Sequence, residues 1–288
     1  MRQETMEKLT QAVAGKLGID AERLTVREVV KDNGIRLTGL AVTGVNIGPI
    51  CYLNGYAEDL ETGQLSYEEA AEEITKNLNY IPDDIRDKAL HITGMSKEEF
   101  LSGIRIRLVE QVSNQETLEA YPHFPWCNLA GMFHYQIDNR ASIRVTYDLM
   151  DRFGTSVKEM KDAGMKNVEK GATVQGMGEV MAAMTGQTIP DDGGNPLYVM
   201  SNTDKYFGAN ILLIPDPFEK LAEKLGDDLY ILPSSRHEVL AVPKSIGDLA
   251  GMQAMVREVN RNEVSREDFL TDTVYEYTRG SGVIDIAA

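Results

Sequence analysis

Apolar residues fall four apart at Leu9, Val13 and Leu17, a spacing that stacks them on one face of a helix predicted over 4–17 and closed by Gly18. The period then drops to two. Predicted strands over 24–30 and 35–42 flank Lys31, Asp32, Asn33 and Gly34, where Asn-Gly supplies the two positive-φ residues of a tight turn. Ile35, Leu37 and Gly39 alternate with Arg36 and Thr38, which predicts that the second strand buries that side. Pro49 opens a third strand over 50–54.

Helical periodicity returns after Ser66, where Glu69 completes a capping box for a helix reaching Leu78. Pro82 starts another short helical piece, and Ser96 with Glu99 repeats the capping signal ahead of Phe100 and Leu101. Ile104, Ile106 and Leu108 against Arg105 and Arg107 predict a strand with one wet face. Around His123, two prolines and three aromatics read as a stiff apolar elbow over 121–126. Strands over 129–137 and 143–147 follow, separated by a turn at Asp138 and Asn139. Helices are then predicted over 147–152 and 156–168. The glycine- and methionine-rich stretch over 171–194 carries a short helix over 179–184 and ends in a turn.

The last third alternates strands with helices. Strands are predicted over 197–200 and 210–214, then a helix from Pro217 stopped by Gly226. Strands over 229–232 and 238–242 are joined by Pro233, Ser234, Ser235, Arg236 and His237. Ser245 caps a helix to Asn260, Ser265 caps one more turn, and a final strand covers 274–277. Connections this short cannot carry parallel crossovers, so the pattern predicts an α+β fold: a largely antiparallel or mixed sheet with helices packed on it. Periodicity weakens between Asn79 and Glu98. That divides the chain into two loosely separable parts, an N-terminal α+β part over 1–95 and a larger C-terminal α+β domain over 96–288.

Composition narrows the classes of partner. With 29 basic against 45 acidic residues the 288-residue chain carries a net charge of -16, a field that repels phosphate backbones and anionic membrane surfaces. No apolar run reaches membrane-spanning length, and the charged, amphipathic start does not read as a signal peptide. Cys51 and Cys127 lie far apart without metal-ligand spacing, and read as two buried thiols of a reducing compartment. These features predict a cytoplasmic protein that binds neither nucleic acid nor membrane.

Chemistry-bearing groups concentrate in one place. Ser234, Ser235, Arg236, His237 and Glu238 bring two hydroxyls, a guanidinium, an imidazole and a carboxylate between two strands, a set that can build an activated nucleophile or a binding site. Strand alternation would put Ser235 and His237 on one face and Glu238 on the other, so a local triad does not close. The plainer expectation is a hairpin whose serines bond their own backbone. Asn202 joins these five as a candidate binding residue.

Elsewhere the signals are weaker. His134, between Phe133 and Tyr135, reads as a satisfied or half-exposed strand residue, and His91 as a surface one. Gly176 and Gly178 precede a short helix, but the third glycine of a dinucleotide fingerprint is missing, as is a clear preceding strand. Asp191, Asp192 and Asn195 lack the rhythm of a calcium loop. Met177, Met181 and Met184 at helical spacing read as core filling. No cofactor or metal is expected.

Several stretches together resemble a known family. They are Lys31 to Gly34 with Leu37 to Leu40; Asn46, Pro49 and Tyr52-Leu53; Asn114 with Leu118; Tyr121-Pro122-His123; and Leu129-Ala130. Leu197 to Asn202, Gly208-Ala209-Asn210, Asp228 to Glu238 (DLYILPSSRHE) and Asp272 to Tyr275 complete the set. Nearly the whole chain is similar to an uncharacterised family of Clostridia and related Firmicutes, domain of unknown function 5688. Asn128 stands where that family tends to show aspartate, and the region over 171–186 is less typical of it. The resemblance implies an origin and no mechanism. The expected function is therefore a non-enzymatic protein-binding or regulatory module with a protein partner. The alternative is a small hydrolase or small-ligand-binding domain with its site at the Ser234–Glu238 hairpin.

Overall fold

The computed structural model describes residues 2–43, 49–79, 92–137, 142–186 and 196–288. The chain forms two compact units, Met1–Met95 and Ser96–Ala288. Both mix helices with antiparallel sheet, so the fold is α+β. Pro82, His91, the turn at Asp138 and Asn139, Asn46, and Asp191, Asp192 and Asn195 lie outside the described residues.

In the first unit α1 (Gln3–Leu17) ends at Gly18, whose φ of 65° is the left-handed cap that glycine adopts without a Cβ clash. Strands β1 (Leu24–Val30) and β2 (Arg36–Val42) pair antiparallel, with Leu24 opposite Val42 and Val26 opposite Leu40. Asn33 and Gly34 both take positive φ in the connecting turn, as the Asn-Gly pair requires. The expected side is partly covered, with Gly39 buried and Ile35 and Leu37 half-buried, but the helices cover the opposite side. Leu24, Val26, Leu40 and Val42 pack into the core with α1 and α3 (Tyr67–Asn79), while Ile35 and Leu37 lie on the other face. The apolar residues at even positions are the ones the two helices cover, and fully burying a leucine such as Leu40 contributes about 2 kcal/mol. The third strand, β3, is only Cys51–Tyr52, because Asn54 begins α2 (Asn54–Thr62), which periodicity did not indicate. Ser66 and Glu69 form the expected reciprocal cap on α3.

In the second unit α4 (Lys97–Ser102) leads into β4 (Ile104–Glu110). After α5 (Gln115–Ala120), the supposed elbow is a strand, β5 (His123–Trp126), because its backbone pairs with β6 (Leu129–Gln136) from His123 opposite Met132 to Trp126 opposite Leu129. A short β7 (Ser142–Arg144) completes a sheet in which β4, β6 and β5 are neighbours. Strand β4 has no wet face at Arg107. That residue is buried, its guanidinium 5.1 Å from the Phe207 ring centre.

Helices α6 (Tyr147–Arg152) and α7 (Val157–Gly171) follow, and α7 presses on β4 through Gly164. A Cβ there would lie 2.6 Å from Ile106 Cγ1, so only glycine permits this approach. A strand, β8 (Ala172–Gly176), does precede the Gly-x-Gly pair and α8 (Met177–Thr185), but it runs antiparallel to β9 (Tyr198–Asn202) at a sheet edge. Phosphate-binding glycine loops follow a parallel strand, so the fingerprint fails on topology too. Met181 is exposed and therefore not core filling.

The expected strand over 210–214 is instead a buried 3-10 helix, Gly208–Leu213. Helix α9 (Asp216–Leu225) leads to β10 (Leu229–Ser235) and β11 (Glu238–Pro243), then α10 (Leu249–Asn262), β12 (Tyr275–Tyr277) and β13 (Ile284–Ile286). The cap on α10 is Asp248, not Ser245, and β13 lies beyond the strand expected to be last. Cys51 is buried but Cys127 is exposed, so only one thiol behaves as predicted.

Candidate functional site

The polar hairpin folds more tightly than its sequence suggests. Strand β10 continues through Ser235, which pairs with Glu238, leaving Arg236 and His237 as a two-residue turn. Register shifts between Pro233 and Ser235, so Ser234 is the bulged residue. Strand alternation therefore does not apply across Ser235 to His237. The Ser235 hydroxyl accepts a bond from the His237 backbone N–H at 3.0 Å, the turn-forming role expected of it.

The His237 ring is occupied on both sides. The Phe207 backbone N–H donates to Nδ1 at 3.2 Å, so the ring proton sits on Nε2 and is donated to Asp268 Oδ1, also at 3.2 Å. With the proton there, the Arg236 Nε–H at 3.4 Å finds no lone pair on that nitrogen. The working contact of the guanidinium is with Asp268 Oδ1, 3.0 Å from its Nη2. Burial opposes ionisation of Asp268, but the Ser265 hydroxyl, Arg236 and His237 outweigh it and hold the carboxyl below its ordinary range. The backbone is clasped as well: Arg236 N–H donates to Asp268 O at 2.8 Å, and Ser201 Oγ donates to His237 O at 2.8 Å.

Gly208 makes the clasp possible. A Cβ at that position would meet the Ser201 hydroxyl, the His237 carbonyl oxygen at 2.5 Å and the Asn202 nitrogen at 2.8 Å. Just before it, Lys205 and Phe207 hold left-handed φ of 52° and 55°, a conformation that costs non-glycine residues about 1 kcal/mol or more. Asn202 holds this loop in shape. Its Nδ2 donates to Tyr206 O at 2.9 Å and its Oδ1 accepts from Tyr206 N–H at 3.2 Å.

Beneath Phe207 lies His134, tilted against it with ring centres 5.6 Å apart. His134 is buried and its Nε2 has no partner among the described residues, contrary to the satisfied or half-exposed residue expected. Burial, then the nearby guanidiniums of Arg107, Arg144 and Arg236, hold its pKa well below the ordinary 6.5. The imidazole is neutral at physiological pH.

The other side of the same loop walls a cavity of about 260 Å3 at the open edge of β4. Arg105, Asn167, Lys170, Asn202, Thr203, Asp204 and Asn210 supply its polar lining. The close approach of α7 at Gly164 sets Asn167 against that edge, where Nδ2 donates to Ile104 O at 2.8 Å and Ser102 O at 3.0 Å. Asn210, on the 3-10 helix, donates to Ile106 O at 2.8 Å. Its Oδ1 is buried and has no partner among the described residues.

Of the six sequence-predicted site residues, the structure brings Ser235, Arg236 and His237 into the clasp and Asn202 to the cavity wall. Ser234 and Glu238 remain half-buried strand residues at the hairpin mouth. Asp268, Phe207 and Gly208 complete the clasp, and Arg105, Asn167 and Asn210 the cavity; sequence reading assigned none of them to a site. The capping pattern of Ser265 three residues before Asp268 was the available signal for one. Among the described residues no group of three or more His, Cys, Asp or Glu side chains is placed to hold a metal ion.

A protein-family model described as a family of unknown function (DUF5688) matches residues 2–279. No curated protein and no solved structure matches the chain.

Proposed function

From the premise that the chain belongs to this family of unknown function, DUF5688, which brings no activity with it, we propose that the protein is a non-catalytic binding module that takes a small polar ligand in the cavity beside Asn202 and Asn210. The observation that carries this reading is the contrast in valence between clasp and cavity. In the clasp, both His237 ring nitrogens are bonded and the Ser235 hydroxyl serves its own turn, so no base stands ready to activate a nucleophile. In the cavity, charged and amide groups from four segments converge on space large enough for a metabolite.

The hydrolase alternative loses its support with the His237 ring, because a general base needs a nitrogen lone pair facing the nucleophile. The test is a thermal-shift screen of polar metabolites against the full chain and against Thr203→Trp, which fills the cavity from its exposed rim. A ligand that raises the Tm of the parent and not of the plugged variant supports the reading. If every stabilising ligand acts equally on both chains, the cavity is not the site.

A protein partner is the second reading. Met255 and Val259, one helical turn apart on α10, are 52% and 39% exposed beside the buried Met252 and Val256. Charged replacements at both positions would abolish capture of such a partner and leave Tm unchanged.

A further inference from the structure

We infer that the ligand class of the β4-edge cavity is a small zwitterion of the α-amino-acid type, its carboxylate held by Arg105 and Lys170 and its ammonium by Asp204. The inference rests on the cavity being a binding site and names what that site takes.

Three features define the chemistry. First, two cations from different elements, Arg105 on β4 and Lys170 near the end of α7, line one small space in a chain whose net charge is -16. A pair of cations facing one space selects a carboxylate or another anion. Second, Asp204 lines the same space, so a ligand with only negative charge would meet a like charge. Third, the lining amides spend their donors on the fold, Asn210 on Ile106 O, Asn167 on Ile104 O and Asn202 on Tyr206 O, so the charged groups are left to select the ligand.

Donor and anion must therefore reside on one molecule. Size sets the remaining limit. A volume of about 260 Å3 falls at or below the low end of sites for drug-sized ligands, which fits an amino acid and excludes a dinucleotide. Among the described residues Val168 is the one large aliphatic side chain lining the space, so selection rests on charge rather than on an apolar side-chain pocket.

The test is titration calorimetry on the full chain with the common amino acids, and with matched compounds lacking one charge: a primary amine without carboxylate, a carboxylate without amine, and inorganic phosphate. At least one amino acid should bind, and its one-charge analogues should bind about tenfold weaker or worse. Lys170→Gln and Asp204→Asn should each weaken binding about fivefold without moving the Tm of the unliganded chain, since both side chains are exposed. Equal binding of the amino acid and its one-charge analogues, or of phosphate alone, overturns the zwitterion assignment. If that binding still disappears in Thr203→Trp, the cavity survives as a site. Absence of binding by every compound at about 10 mM overturns the assignment. Should the broader metabolite screen also fail to distinguish Thr203→Trp from the parent, the cavity reading falls with it.

Discussion

Two neighbouring regions share the segment Asn202 to Asn210 and are built from the same kinds of side chain, yet they are in opposite states. Around His237 nearly every polar group given a contact is matched by another group of the protein. At the β4 edge, the amide donors are spent on backbone carbonyls, while charged groups from separate elements face a common space. Polar density alone therefore does not mark a site. What distinguishes the two regions is whether the valences are closed within the fold, because a satisfied network specifies structure while open valences specify a ligand.

That contrast is broken most forcefully at Gly208. Gly208→Ala drives a methyl into two backbone atoms of the clasp and should destabilise the second unit by about 3 kcal/mol, read as a shift in urea midpoint. A loss under ~0.5 kcal/mol would mean the clasp is loose. Asp268→Ala removes the shared partner of Arg236 and His237 and should cost about 1.5 kcal/mol, read in the same urea unfolding experiment.

The next effect depends on pH. His134 is held neutral when folded and gains a proton readily when unfolded, so the unfolded chain binds more protons below pH 6.5. Stability from this residue is complete above its unfolded pKa and declines as pH falls toward the folded value, by up to about 1.4 kcal/mol per pH unit. Unfolding midpoints between pH 7 and 5 test this, and His134→Gln should flatten the slope whatever its effect on absolute stability. Asp268 adds a separate loss at lower pH, where its carboxyl, depressed below 3.8, takes up a proton. The smallest effect sharpens the comparison: Ser235→Ala should cost about 1 kcal/mol through its turn bond and leave ligand binding in the cavity unchanged. If it abolishes that binding, the hairpin belongs to the site after all.

We further propose that 1–95 and 96–288 are separate domains. Each piece, expressed alone, would then unfold in its own cooperative transition by calorimetry.

Much of the architecture was legible because its causes are local. Asn33-Gly34, the Ser66/Glu69 and Ser96/Glu99 caps, and the glycines at 18 and 226 act within a few residues, and each sits where the pattern put it. Errors arose where a distant element decided the outcome. The face of β2 was chosen by the helices that cover it, and Arg107 was buried by Phe207, a hundred residues away. The segment Gly208–Leu213 is as apolar as a strand but found its partners across the core as a 3-10 helix. In the candidate site, Ser235 and its turn were readable, whereas Asp268 and Asn210 were not, because nothing near them in sequence reveals which group they will face.

By itself the sequence determined the α+β class, most helix ends, the main hairpin and the family, all consequences of short-range sterics, periodicity and composition. Only the tertiary structure decided that the polar hairpin closes on itself while a quieter set of asparagines and cations opens onto a cavity. The reason is that a hydrogen bond's worth depends on what else the buried group can reach, and that is fixed by packing between elements far apart in the chain.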